Sequence, residues 1–159
     1  MESTLTKHER NLAAMVHASS FSKFFIPFGN FIIPLVLWTA NKKDSALVDY
    51  SGKQVLNFQI SLLLYSIVLG IISIPFFVGF FPDFLDSSLF GLNHLNDYNN
   101  LNIDFSEAFK FSSWLFPLGV AGLAHGALFV VNVVYTILAV IKTNEGQEFS
   151  YPITIKFLK

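Results

Sequence analysis

Five polar side chains interrupt long apolar stretches of this sequence and are its candidates for chemistry. Asn57, Gln59 and Ser61 lie early in one charge-free stretch, and His125 and Asn132 lie in another. Within a lipid bilayer such side chains commonly form hydrogen bonds across helices, and an intramembrane ionisable residue is a functional candidate by default. Two interpretations therefore stay open: a polar constriction that contacts a substrate, or a bonded patch that holds helices together.

We favour the bonded patch for the first group. Asn57 and Ser61 are four residues apart and share a helix face, which Tyr65 continues. Backbone groups freed by chain breaks at Gly29 and Pro34 need partners in lipid, and these side chains could supply them.

Packing is also the favoured role of His125. No Asp or Glu falls inside any apolar stretch to relay its proton, and no histidine pair has the spacing of a metal site. Asn132, seven residues later, shares its face. The sequence also has no cysteine and no nucleophile, zinc-protease or phosphate-loop motif. We therefore predict no catalytic, metal-binding or cofactor-binding residue and no enzyme activity.

Small residues give the last stretch a second feature. Gly119, Gly122 and Gly126 form a face that would let two helix backbones approach closely. That face could pack against a partner protein, a second copy, or another helix of the same chain.

The elements that carry these residues are predicted to be membrane helices. Of the 159 residues, 53% are apolar and only 13% are charged, against roughly 25% charged in soluble domains. Charge-free stretches of 29 and 31 residues run from Gln54 to Pro82 and from Phe111 to Ile141. Because about 20 apolar residues cross a bilayer, the chain is predicted to be an all-α integral membrane protein in contact with lipid. The net charge of −1, without a basic cluster, excludes a nucleic-acid partner.

One membrane domain, residues 1–159, is predicted to contain five parts. The parts are a broken helix or hairpin at 9–40, transmembrane helices at 54–81 and 114–141, a polar acidic loop at 82–113 and a tail at 142–159. A capping box at Ser51–Gln54 is expected to begin the transmembrane helix at 54–81.

Charge distinguishes a single broken span from a re-entrant hairpin at residues 9–40. A single span divides the lysines and arginines outside the membrane 4 to 6, whereas a hairpin gives 8 on one side against Lys110 alone, with Lys23 inside the hairpin. Positive residues accumulate on the cytoplasmic side. We therefore predict a hairpin followed by two transmembrane helices, with both termini cytoplasmic.

Several runs resemble a known bacterial family of small membrane proteins of unassigned function. They are Gly29-Asn30 with Pro34-Leu35 and Trp38, VDYSGKQVLNFQIS (Val48 to Ser61), Tyr65, and IKTNEGQEFSYPITIKF (Ile141 to Phe157). That family is itself regarded as similar to the twenty-kilodalton membrane subunit of the chloroplast inner-envelope (Tic) import translocon. The resemblance implies a multi-pass protein of the bacterial inner membrane and no enzyme activity, and it makes 82–113 an insertion.

The predicted function is an accessory or scaffold subunit of a larger membrane assembly, with a membrane protein partner or self-association. The alternative is a pore or translocation component like the Tic subunit, lined by Asn57, Gln59, Ser61 and His125. A membrane enzyme that uses His125 is the least favoured interpretation.

Overall fold

Helices make up nearly all of the described structure. The computed structural model describes the backbone of residues 5–86 and 105–158 and the side chains of 5–79 and 116–158. The elements are α1 (Lys7–Ala18), a 3-10 helix (Ser19–Phe24), α2 (Gly29–Asn41), α3 (Ala46–Asp86) and α4 (Phe105–Asn144). No strand occurs among the described residues, so the predicted all-α class is confirmed.

The chain divides into two compact units. The first contains Met1–Tyr65 and Leu128–Lys159, and the second contains Ser66–Ala127. The first unit therefore holds α1, the 3-10 helix, α2, the start of α3, the end of α4 and the C-terminal tail. Its buried apolar residues include Ala13, Val16, Val48, Val55, Phe58 and Ala139.

Residues 7–41 form the predicted helical hairpin. Its first arm begins with a capping box. Thr6 Oγ1 accepts a hydrogen bond from the Glu9 amide at 3.2 Å, and Glu9 Oε2 accepts one from the Thr6 amide at 2.8 Å. Gly29 begins the second arm directly against the first: a Cβ on it would lie 2.7 Å from Ser22 Oγ. Only glycine fits where the arms approach so closely.

The open ends of both hairpin arms lie at the same end of the first unit. A Cβ on Gly146, just after α4, would be 3.1 Å from Arg10 Cδ in α1. The indole of Trp38, near the end of α2, donates to Asp49 Oδ1 at 2.8 Å near the start of α3. The hairpin therefore enters and leaves where α3 begins and α4 ends.

The two long helices expose most of their apolar side chains. Ala46–Gly79 and Phe116–Asn144 are long and apolar enough to cross a membrane, and only 6% and 17% of their most apolar windows are buried within the protein. The core helix of a soluble protein would instead be mostly buried. The prediction of two long membrane helices is confirmed.

The helix boundaries differ from the predicted ones. The capping box expected at Ser51 is wrong, because α3 begins at Ala46 and Ser51 is buried inside it. The long helices also extend into the predicted loop at 82–113, of which residues 87–104 lie outside the described structure. Pro34 lies within α2, which continues through it.

Candidate functional site: a buried polar cluster and a C-terminal strap

A pair of amide side chains joins α3 to α4. Gln59 Nε2 donates to Asn132 Oδ1, and Asn132 Nδ2 donates to Gln59 Oε1, both at 3.3 Å. Asn30 Nδ2, from the first turn of α2, also donates to Gln59 Oε1 at 3.0 Å. Three helices therefore meet at one glutamine, whose side chain is fully surrounded by protein.

Hydroxyl groups continue this cluster toward the first arm of the hairpin. Thr136 Oγ1 donates to Asn132 Oδ1 at 3.3 Å, one helix turn along α4. Ser20 Oγ lies 3.5 Å from Thr136 Oγ1 and donates to the His17 carbonyl at 2.8 Å. A polar path thus runs from α2 through α3 and α4 to α1.

His17 is the ionisable residue at the end of this path. Its Nδ1 lies 2.9 Å from the Tyr151 hydroxyl, while its Nε2 is buried without a hydrogen-bond partner. Because desolvation penalises the imidazolium, burial lowers the pKa of His17 to about 3. Burial also raises the pKa of Tyr151. Both side chains are therefore neutral near pH 7.

A second group of polar side chains on α3 binds backbone rather than side chains. We call residues 147–158 the C-terminal strap, a segment outside the helices that follows α4 and turns at Pro152–Ile153. Asn57 Oδ1 accepts the amides of Phe157 and Leu158 at 3.1 and 2.8 Å, and its Nδ2 donates to the Leu158 carbonyl at 2.9 Å. Ser61 Oγ accepts the Ile155 amide at 2.9 Å. The Tyr65 hydroxyl donates to the Ile153 carbonyl at 3.0 Å.

Matching repeat distances explain this arrangement. Asn57, Ser61 and Tyr65 are four residues apart, so each step rises about 6 Å along the helix. Two residues of extended chain advance about 6.6 Å. The contacts with Ile153, Ile155 and Phe157 therefore stay in register as the strap runs antiparallel to α3.

An aromatic anchor fixes the start of the strap. The Tyr151 ring stacks on Phe58 with 4.1 Å between ring centroids, and Phe149 packs edge-on against it at 5.1 Å. Tyr151 is 3% exposed, so it connects the strap to the core and to His17.

The residues selected from the sequence occupy different surroundings. Gln59 and Asn132 contact each other, whereas Asn57 and Ser61 bind the strap instead of the backbone near Gly29 and Pro34. His125 lies in the second unit, where Nδ1 donates to the Ala121 carbonyl of its own helix at 2.9 Å.

The glycine face also lies in the second unit. No described atom outside the helix backbone lies within 4 Å of a Cβ built on Gly119, Gly122 or Gly126. Among the described residues, therefore, nothing packs closely against these glycines.

Sequence reasoning did not select four members of the polar cluster: His17, Ser20, Asn30 and Thr136. The spacing of His17 with Ser20, and of Asn132 with Thr136, places each pair on one helix face. That repeated polar spacing within apolar helices was the available signal.

The chemistry of the site is hydrogen bonding. Among the residues that the structure describes, no three His, Cys, Asp or Glu side chains come together in a way that could hold a metal ion. The arrangement fixes a hairpin, two long helices and a strap against one another.

Together these features define a small helical membrane protein with an N-terminal hairpin and a polar core. Residues 8–158 match the profile of MamF/MmsF, described as the magnetosome magnetite crystal formation protein family. The chain belongs to that family, which supports the predicted bacterial family of small membrane proteins. No curated protein and no solved structure matches it significantly. The comparisons give no support to the Tic resemblance.

Proposed function

We propose that this protein is a non-enzymatic accessory subunit of the membrane, a scaffold for the process named in its family's description, magnetite crystal formation. It would act through contacts with lipid and with membrane protein partners, or with further copies of itself.

One observation carries the proposal: the four candidate polar side chains that lie in the first unit are hydrogen-bonded to partners within the chain. Asn57, Gln59, Ser61 and Asn132 are at most 6% exposed, and each has at least two hydrogen bonds within the protein. Because these side chains are buried and bonded within the protein, they are not exposed to line a water-filled path.

Single cysteines test the proposal, because the natural chain has none and every label reports one site. We expect Ser61→Cys and Gln59→Cys to resist a charged, water-soluble thiol reagent in native membranes. Asp44→Cys, at an exposed position in the turn between α2 and α3, is the positive control. Labelling of all three variants after denaturation in SDS would show that each thiol is present and reactive.

A pore or translocation component is the competing function. It requires water beside the same side chains, so Ser61→Cys and Gln59→Cys would react at a rate close to that of Asp44→Cys. That result would overturn the scaffold proposal.

A further inference from the structure

The strap uses only one of its two backbone edges. The amides of Ile155, Phe157 and Leu158 point to α3 and are bonded there. The alternate residues Thr154 and Lys156 carry backbone N–H and C=O groups that bond to no described residue. The peptide groups on either side of them are bonded to α3 or within the strap, so these unbonded groups form a free edge.

This free edge lies at the depth where lipid headgroups meet acyl chains. Lys53 is the last charged residue before the charge-free part of α3. Asn57 and Tyr65 follow it by four and twelve residues, about 6 and about 18 Å along the helix. The strap bonded to them therefore begins near the headgroups and extends into the outer hydrocarbon. Unbonded backbone groups are unfavourable in hydrocarbon, so they need a partner.

The side chains of the strap suit a lipid partner. Ile153, Ile155 and Phe157 are 64%, 39% and 50% exposed, although they are apolar. Lys156 is exposed between them and forms no ion pair with any described carboxylate. An unpaired cation beside free amide donors attracts a phosphate, and the flanking apolar side chains can contact acyl chains.

We propose that the free edge of the strap, together with Lys156, binds the headgroup phosphate of an anionic phospholipid. The lipid belongs to the leaflet on the side where α3 begins and α4 ends. Its phosphate accepts from the Lys156 ammonium and from the free amides, and its acyl chains lie along Ile155 and Phe157. A second copy of the strap fits this edge poorly, because edge-to-edge pairing would bring two Lys156 side chains toward each other.

The test compares lipid binding by the full chain and by variants at one position. In detergent micelles, labelled phosphatidylglycerol is titrated against phosphatidylcholine as the reference lipid. We expect Lys156→Gln to lower the preference for phosphatidylglycerol about fivefold. Lys156→Arg should retain it, since both the charge and the hydrogen-bond donors remain. Lys142→Gln, at an exposed lysine in the last turn of α4, is the matched control and should retain it as well.

Three results would overturn the proposal. The first is an unchanged preference in Lys156→Gln. The second is an equal loss in Lys142→Gln, which would indicate a diffuse effect of net charge. The third is competition by inorganic phosphate as effective as that by the lipid, which would indicate an ion site. Because Lys156 is exposed, the thermal midpoint of Lys156→Gln should equal that of the wild type.

Discussion

His17 combines complete burial with a single hydrogen-bond partner. The imidazole is stable there only in its neutral form, because the pKa of His17 is lowered to about 3 by burial. In the unfolded chain the same group titrates near 6.5. The unfolded state therefore binds more protons than the folded state at any pH between these values, and acidification favours unfolding.

We expect this difference to make stability depend on pH. The contribution of His17 is constant above about pH 7.5 and lowers the free energy of unfolding by about 2 kcal/mol at pH 5. Equilibrium unfolding in mixed detergent micelles at pH 8 and pH 5 measures it. Replacing His17 by Gln should remove this part of the pH dependence, whereas the same change at the exposed His8 should leave it. Parallel pH profiles for wild type and His17→Gln would show that folding does not lower the pKa of His17.

At the scale of elements, Trp38 connects α2 to α3. Its indole donates to Asp49, whose other carboxylate oxygen accepts from Lys53 Nζ at 2.6 Å. Asp49 and Lys53 are four residues apart in α3 and form an i, i+4 ion pair. The ring can reach Asp49 because Gly52 leaves room: a Cβ there would lie 2.6 Å from the Trp38 Cβ and closer still to two ring carbons.

A methyl group at position 52 should therefore push α2 and α3 apart. We expect Gly52→Ala to lower the free energy of unfolding by about 1–3 kcal/mol, since the ring must move and its bond to Asp49 is lost. Gly70→Ala is the matched control in the same helix, because no described atom lies within 4 Å of a Cβ there. Its own effect should be neutral, or stabilising by up to about 1 kcal/mol. Micelle unfolding compares the two variants, and equal stabilities would contradict the packing role of Gly52.

The elements differ in how far the sequence predicts them. The long helices follow from charge-free length, and the hairpin follows from the distribution of lysines. The start of α3 does not, because the serine pattern at Ser51 occurs inside a helix that begins five residues earlier. The strap was also beyond prediction. It is held through its main chain, so it leaves no periodic pattern of side chains from which to infer it.

At the scale of the whole molecule, the predicted topology gathers the positive charges on one side of the membrane. With a hairpin at the N-terminus, the sequence puts eight of the ten lysines and arginines on the side where α3 begins and Lys110 alone on the other side, with Lys23 inside the hairpin. The contacts of Arg10 with Gly146 and of Trp38 with Asp49 place the open ends of the hairpin on that same side. The positive-inside rule would make this side cytoplasmic.

Reporter fusions test this topology. An enzyme that is active only outside the cytoplasm should give signal when fused at residue 97 and none when fused after residue 159. The expectation follows from the 8-to-1 charge count. The reverse pattern would invert the whole protein in the bilayer.

The register between α3 and the strap has a consequence for which changes the C-terminal tail tolerates. Asn57, Ser61 and Tyr65 recognise main-chain atoms, so exchanging one exposed side chain at 153, 155 or 157 for another leaves every bond available. Inserting or deleting a single residue between Ile153 and Phe157 is different, because it turns bonded amides away from α3 and presents the alternate ones. The tail should therefore tolerate substitutions of its exposed side chains but not insertions or deletions.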